Sequence, residues 1–238
     1  MEYRWIYFAR CYQKPQVVPD EELLERQQSM LHKLSLLQEA PQHAYLQETV
    51  TQLQSDAGVV HLFSKDYPQV LNHGDLSETN ILVNGETAAV TGFIDWSLGS
   101  VRPFGYERYA LRQLSGKMTS EGWSDMICRA RTDEAFWTEF WSITSIEDPA
   151  QRIKIKEQAE LVAKLGLIIR YAIQKTLDGI PLDKLATRPA RYLASWLTTP
   201  NWSSMLLNGR LLRKQTPSVP TFIMLKFPSG RQRSSEGR

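Results

Sequence analysis

Glycine is scarce in the first third of this chain. Only Gly58 occurs before Gly74, so residues 1–73 contain no glycine-rich loop to cradle phosphate with its backbone N–H groups. Cysteine is nearly absent as well. Cys11 and Cys128 stand far apart, which excludes a disulfide framework and a cysteine-based zinc site. They suit free thiols in a reducing compartment, and one disulfide is the most they allow. Long apolar runs are missing too. The longest, LVAKLGLII at 161–169, contains Lys164 and is far too short to span a bilayer. The opening MEYRWIYFARCYQKPQ lacks the continuous apolar stretch of a signal peptide. No internal repeat is visible. These absences predict a soluble, cytoplasmic protein with no membrane partner.

What is present is a chain of 238 residues, 42% hydrophobic, long enough for one large domain or two small ones. The formal net charge of +2 hides an asymmetry. Residues 209–238 carry seven Lys/Arg and one acid, Glu236, while residues 1–208 carry 21 basic and 25 acidic residues. A basic tail can bind nucleic acid or anionic lipid. Here Pro, Ser and Gly punctuate it, few aromatics interleave it, and no recognised binding fold accompanies it. A disordered end is the reading adopted, and no nucleic-acid partner is expected. The apolar stretch TFIMLKF within it has no obvious neighbour to pair with.

Helical patterns dominate the rest. PDEELLERQQSMLHKLSLLQEA opens with Asp20, Glu21 and Glu22, where the helix dipole favours negative charge, and Pro41 ends it. A second helix is expected near 43–54, and others near 105–115, 133–143, 150–177 and 182–198. Gly179-Ile180-Pro181 is a good stop for the longest. Phe136, Trp137, Phe140 and Trp141 recur on adjacent turns and read as core packing. Between these helices NILV (80–83) and AVTGFID (89–95) read as strands. Asn84-Gly85 gives the reversal between them, since both residues tolerate positive φ. If Val83 pairs with Val90, Asn80 falls opposite Phe93 and Asp95 lies level with the loop before the hairpin.

That loop carries the chemistry. HGDLSETN places His73, Asp75 and Asn80 in the spacing H-x-D-x-x-x-x-N, and Asp95 follows at the end of the returning strand. Phosphoryl transfer needs a carboxylate beside the acceptor to orient it and take its proton. It also needs oxygen ligands for the magnesium that neutralises the phosphates. Asp75 can be the base, and Asn80 and Asp95 the metal ligands, by analogy with the kinase catalytic loop and its metal-binding aspartate. His73 sits in the same catalytic constellation and braces the loop more plausibly than it acts as a base.

HGDLSETNILV followed by TGFIDW resembles the aminoglycoside phosphotransferase-like family, especially its fungal members. KDYPQVLNHGDL before the motif and PFGYE (103–107) after it match that subgroup. The resemblance covers residues 1–198 and is strongest at 69–107. It implies a protein-kinase-like fold, ATP and magnesium as cofactors, and phosphorylation of a small-molecule acceptor. Asp75 takes the place of the family's catalytic base, and Asn80 and Asp95 the places of its metal ligands.

Family members also carry an N-terminal lobe, with a small β-sheet and a lysine on the ATP phosphates. No such lysine stands out here. Lys14 follows the strand-like WIYFARCY but precedes Pro15 and leads straight into helix 20–40, so it fails that context. The expected fold is therefore α+β and mostly helical: the C-terminal lobe of a protein-kinase-like fold, with a β-hairpin after the catalytic loop. Residues 1–198 would form that lobe and 199–238 a basic, disordered tail. The expected activity is ATP- and magnesium-dependent phosphoryl transfer by a catalyst lacking its nucleotide clamp. The alternative is a non-catalytic kinase-like module that binds a protein partner through the exposed inter-lobe face.

Overall fold

Asp20, Glu21 and Glu22 do open a helix, α2 (Asp20–Glu39), where their charges meet the positive end of the helix dipole. The protein is described by a computed structural model covering residues 6–39, 46–87, 89–120, 122–173, 193 and 196. Over these residues it is mixed α/β, mostly helical, with three small two-stranded sheets. Leu23, Met30, Leu34 and Leu37 form the buried stripe of α2. Helix α3 (Gln47–Ser55) packs on α2 and buries Val50 and Leu53. The short α4 (Ala57–His61) starts at Asp56, whose carboxylate accepts the Gly58 N–H.

WIYFARCY departs from its strand-like appearance. Residues Ile6–Gln13 form helix α1. Its composition favours a strand, but packing decides. Phe8 and Tyr12 lie one helical turn apart and meet the same aromatic core. Phe8 stands edge-on to Phe136 at 5.6 Å, and Tyr12 edge-on to Phe140 at 5.2 Å and Phe104 at 4.8 Å. A helix sets the two residues about 6 Å apart on one face, where a strand would spread them over about 13 Å, and tertiary contact overrides the weak local preference.

Helix α6 (Arg129–Thr144) carries Phe136, Trp137 and Phe140, all buried. It ends at Ser145, in left-handed conformation at φ 54°. Helix α7 (Pro149–Ala172) starts cleanly. Asp148 accepts from the Ala150 and Gln151 N–H groups, and Pro149 fills the first turn, where no N–H is missed. Between α6 and α7 lies Arg108. It bonds Asp133 and Glu160 and sits over the faces of Phe136 at 5.1 Å and Trp137 at 4.8 Å. This buried cation ties the chain before α5 (Tyr109–Gln113) to both long helices. Arg108→Ala would strip Glu160 of this cation and leave Asp133 only the longer pairing with Lys156 at 4.0 Å. We expect a loss of about 3 kcal/mol, read from urea unfolding; a loss under 1 kcal/mol would contradict the assignment.

Strand β1 (Gln69–Asn72) pairs antiparallel with β4 (Ser100–Pro103), placing Asn72 opposite Ser100. Between them, β2 (Ile81–Val83) and β3 (Val90–Phe93) form the hairpin. Val83 does pair with Val90, but Thr91 is an extra residue in β3. Leu82 therefore faces Gly92, and Ile81, not Asn80, faces Phe93. A second hairpin, β5 (Gly116–Thr119) with β6 (Gly122–Asp125), and the strands β1 and β4 lie outside the two expected strands, 80–83 and 89–95.

Two glycines let α7 approach closely. A Cβ on Gly166 would lie 2.0 Å from the Tyr106 carbonyl oxygen. Gly105, at φ +100°, would put one 2.7 Å from the Ala159 carbonyl oxygen. Helix α7 thus runs backbone-close past the turn that precedes α5.

The chain divides into two units, residues 1–202 and 203–238. The expected stops at Pro41 and Gly179-Ile180-Pro181 and the tail 199–238 with its TFIMLKF stretch lie outside the described residues, as does helix 182–198 apart from Leu193 and Trp196. No described helix is long and apolar enough to cross a membrane.

Candidate active site

The four residues singled out by spacing lie on one excursion of the chain, between β1 and β4. Gly74 makes the excursion possible. It adopts φ +83°, and an added Cβ would stand 2.1 Å from the Leu98 carbonyl oxygen. The following peptide therefore turns sharply, and Asp75 comes out half-exposed beside it.

Three groups fix Asp75. The His73 Nδ1 accepts the Asp75 N–H at 3.3 Å, and the Asn80 Nδ2 donates to the Asp75 carbonyl at 2.9 Å. The third is Arg170, near the end of α7, whose Nη2 donates to Asp75 Oδ1 and whose Nη1 donates to the Gly74 carbonyl at 3.2 Å. His73 itself is fully buried. Its Nε2–H donates to the Ile94 carbonyl at 2.7 Å, which leaves Nδ1 as the acceptor and sets the tautomer. Its ring packs on Trp96, centroids 4.7 Å apart. Both ring nitrogens are spent holding the loop to the end of β3.

Asn80 closes the same circuit. Its backbone carbonyl accepts the Ile94 N–H at 3.1 Å, one residue before Asp95. With Nδ2 committed to Asp75, its side-chain oxygen is the group left to meet a cation. Asp95 is exposed and left-handed at φ 60°, ψ 65°, an uncommon backbone state for a residue with a side chain. Ser97 Oγ donates to its Oδ1 at 2.6 Å. The Ser97 hydroxyl first, then the Ser97 backbone N–H, hold the Asp95 carboxyl below its ordinary value.

Two residues central to this geometry were not identified by spacing. One is Arg170. The other is Glu107, the last letter of PFGYE, buried to 2% exposure. Its carboxylate accepts the His73 N–H at 2.7 Å, the Gly74 N–H and the Tyr7 hydroxyl at 3.4 Å. Burial pushes its carboxyl above the ordinary range, and the His73 and Gly74 N–H groups pull it back. Successive N–H groups converging on one carboxylate form a small anion nest, here filled from within the fold. The PFGYE text was the only signal for it, and it named no role.

Chemically, the excursion presents one half-exposed carboxylate with a guanidinium beside it, and across the hairpin an amide oxygen and an ionised carboxylate. Among the described residues, no group of three or more His, Cys, Asp or Glu could hold a metal ion. A hard cation shared with phosphate oxygens fits an Asn–Asp pair better than an all-protein cage does. A family model described as the phosphotransferase enzyme family matches residues 9–140. The chain belongs to this family. No curated protein matches the chain. The phosphotransferase match takes in His73, Asp75, Asn80, Asp95 and Glu107, and it ends before α7 and Arg170.

Proposed function

We propose that this phosphotransferase-family chain is the acceptor- and metal-binding lobe of a protein-kinase-like fold, working on ATP and a small-molecule acceptor. The observation that carries the reading is the division of labour around Asp75. Asn80 spends its nitrogen on the Asp75 carbonyl and keeps its oxygen. Asp95, across the hairpin, is exposed and held ionised by Ser97. Asn80 and Asp95 would hold magnesium. When bound, magnesium supplies charge neutralisation at the phosphate oxygens. Asp75 orients the acceptor group and takes its proton, and His73 braces the loop. Leu82 and Ile94 are 46% and 44% exposed, and Leu82 faces side-chain-free Gly92. They give the hairpin a flat apolar platform beside the metal ligands, suited to a planar ring.

The phosphate grip is the weak part. Residues 1–73 offer no glycine-rich loop, and Lys14 follows α1 rather than a strand. Positioning supplies most of phosphoryl-transfer catalysis, so turnover by residues 1–238 alone is expected to be low. Calorimetry with ATP and magnesium tests the site itself. Magnesium-dependent ATP binding should be lost in Asp95→Ala and kept in Asp75→Ala. Because Ser97 holds the Asp95 carboxyl down, binding should fade only as pH drops through that lowered value. Ser97→Ala should move the fade to higher pH. Equal ATP affinity in wild type and Asp95→Ala would falsify the reading.

One observation favours a second reading. Leu71, Leu82, Val83, Ile94, Trp96 and Leu98 surround the loop and are 39–48% exposed. An apolar rim of this kind suits a non-catalytic kinase-like module with a protein partner. Partner binding that survives Asp75→Ala would support it.

A further inference from the structure

We propose that Arg170 is the positioning residue of the acceptor-side carboxylate: it ties down one oxygen of Asp75, so that the other faces the acceptor, and its charge makes the acceptor neutral or anionic. The proposal rests on the reading of Asp75 as the base. Every polar group of Asp75 but one is engaged from a different place. The N–H goes to His73, the carbonyl to Asn80, and Oδ1 to Arg170. Oδ2 has no hydrogen-bond partner among the described residues, and the side chain is 37% exposed. The guanidinium is a rigid fork. With Nη1 on the Gly74 carbonyl and Nη2 on Asp75, it fixes the carboxylate relative to the loop backbone.

The fold explains why this arginine is in reach. Gly166 lets α7 run against the Tyr106 backbone. Arg170 is one turn further on the same face, because residues four apart align on a helix. The step it prepares is simple. The acceptor hydroxyl gives its proton to Asp75 Oδ2, its oxygen bonds to the γ-phosphorus, and the bond from that phosphorus to the leaving oxygen of ADP breaks. Arg170 neither gains nor loses a proton.

The same arrangement decides the charge of the acceptor. The Asp75 charge is already met by Arg170. Glu107, whose carboxylate holds the loop N–H groups, is spent too. An ammonium group at Asp75 Oδ2 would meet the Arg170 charge, whereas the remaining guanidinium donors suit a neutral hydroxyl compound or one bearing a carboxylate or phosphate.

The test uses the full chain and three readouts. In the 15N-resolved spectrum of the arginine guanidiniums, Arg170 should show hindered rotation in wild type and free rotation in Asp75→Asn. Free rotation in wild type overturns the clamp. In single-turnover hydrolysis of γ-labelled ATP, with water as acceptor, Arg170→Met should slow phosphate release at least tenfold and leave the magnesium–ATP Kd within twofold. Arg170→Lys should not restore it, since an ammonium cannot span both contacts. A rate equal to wild type in either variant overturns the positioning role. Kanamycin, a polycation, should give no Asp75-dependent heat of binding, and such heat overturns the acceptor class. Magnesium–ATP binding indifferent to Asp95→Ala would sink the functional reading while leaving the clamp, seen in the guanidinium spectrum, intact.

Discussion

Replacing Glu107 by alanine is expected to cost the fold roughly 3 kcal/mol and to unseat the loop that carries Asp75. The estimate starts from two N–H groups, of His73 and Gly74, that point at the carboxylate. Losing the partner of a buried donor costs about 1–3 kcal/mol each, while the Tyr7 hydroxyl keeps the Leu71 carbonyl at 3.2 Å as its acceptor. Part of this is returned, because a carboxylate that burial pushes towards protonation is itself costly to bury. The outcome therefore falls in the lower half of the summed range. Glu107→Gln should lose less: its one remaining acceptor oxygen serves one N–H, and its amide NH2 faces the other. Urea unfolding of the three proteins gives the order wild type, Gln, Ala. A Glu107→Ala variant as stable as wild type would mean that the loop N–H groups find other partners.

Gly74→Ala should be still more damaging. The position combines a left-handed φ of +83° with a carbonyl oxygen 2.1 Å from where the methyl group would go. The first term costs an alanine about 1–2 kcal/mol. The second cannot be relieved by a side-chain rotation, since the obstacle is the backbone of Leu98. Either β1 or the turn at Asp95–Leu98 must move, and both hold the site. A total loss on the order of 3–5 kcal/mol follows from strain plus overpacking, together with loss of magnesium-dependent ATP binding. Wild-type unfolding and nucleotide affinity in Gly74→Ala would show that the loop is not packed as described.

The contrast between the two halves of the site tells what a sequence can reveal. His73, Asp75 and Asn80 lie within eight residues of one another, and a hairpin with a recognisable Asn84-Gly85 turn returns to Asp95. Spacing alone groups them as candidates, and hydrogen bonds join His73, Asp75 and Asn80. Glu107 and Arg170 act on the same loop across 34 and 95 residues. Nothing local marks them, because their roles depend on how a turn and a helix dock. The hairpin register shows the same limit at finer scale. The pairing of Val83 with Val90 was readable, but the extra residue Thr91 shifted every partner beyond it. Helix α1 failed for another reason. Its aromatic and branched residues suit a strand, and only the face offered by α6 and Phe104 makes the helix the better solution.

The pairing of β1 with β4 has a consequence for how the site comes into being. Asn72 and Ser100 meet across the sheet, so residues 73–99 form a closed loop with its own internal hairpin. Closing a loop of that length costs only a modest, slowly growing entropy. Asp75, Asn80 and Asp95 can thus be gathered by contacts local in sequence, before the long helices arrive. Arg170 comes from far along the chain, on a helix that must first pack past Gly105 and use its own Gly166. Assembly has a natural order: the constellation is gathered early, and the arginine that fixes Asp75 is added only when the helical body is complete. A chain caught halfway would hold Asn80 and Asp95 on their hairpin but leave the Asp75 carboxylate untied.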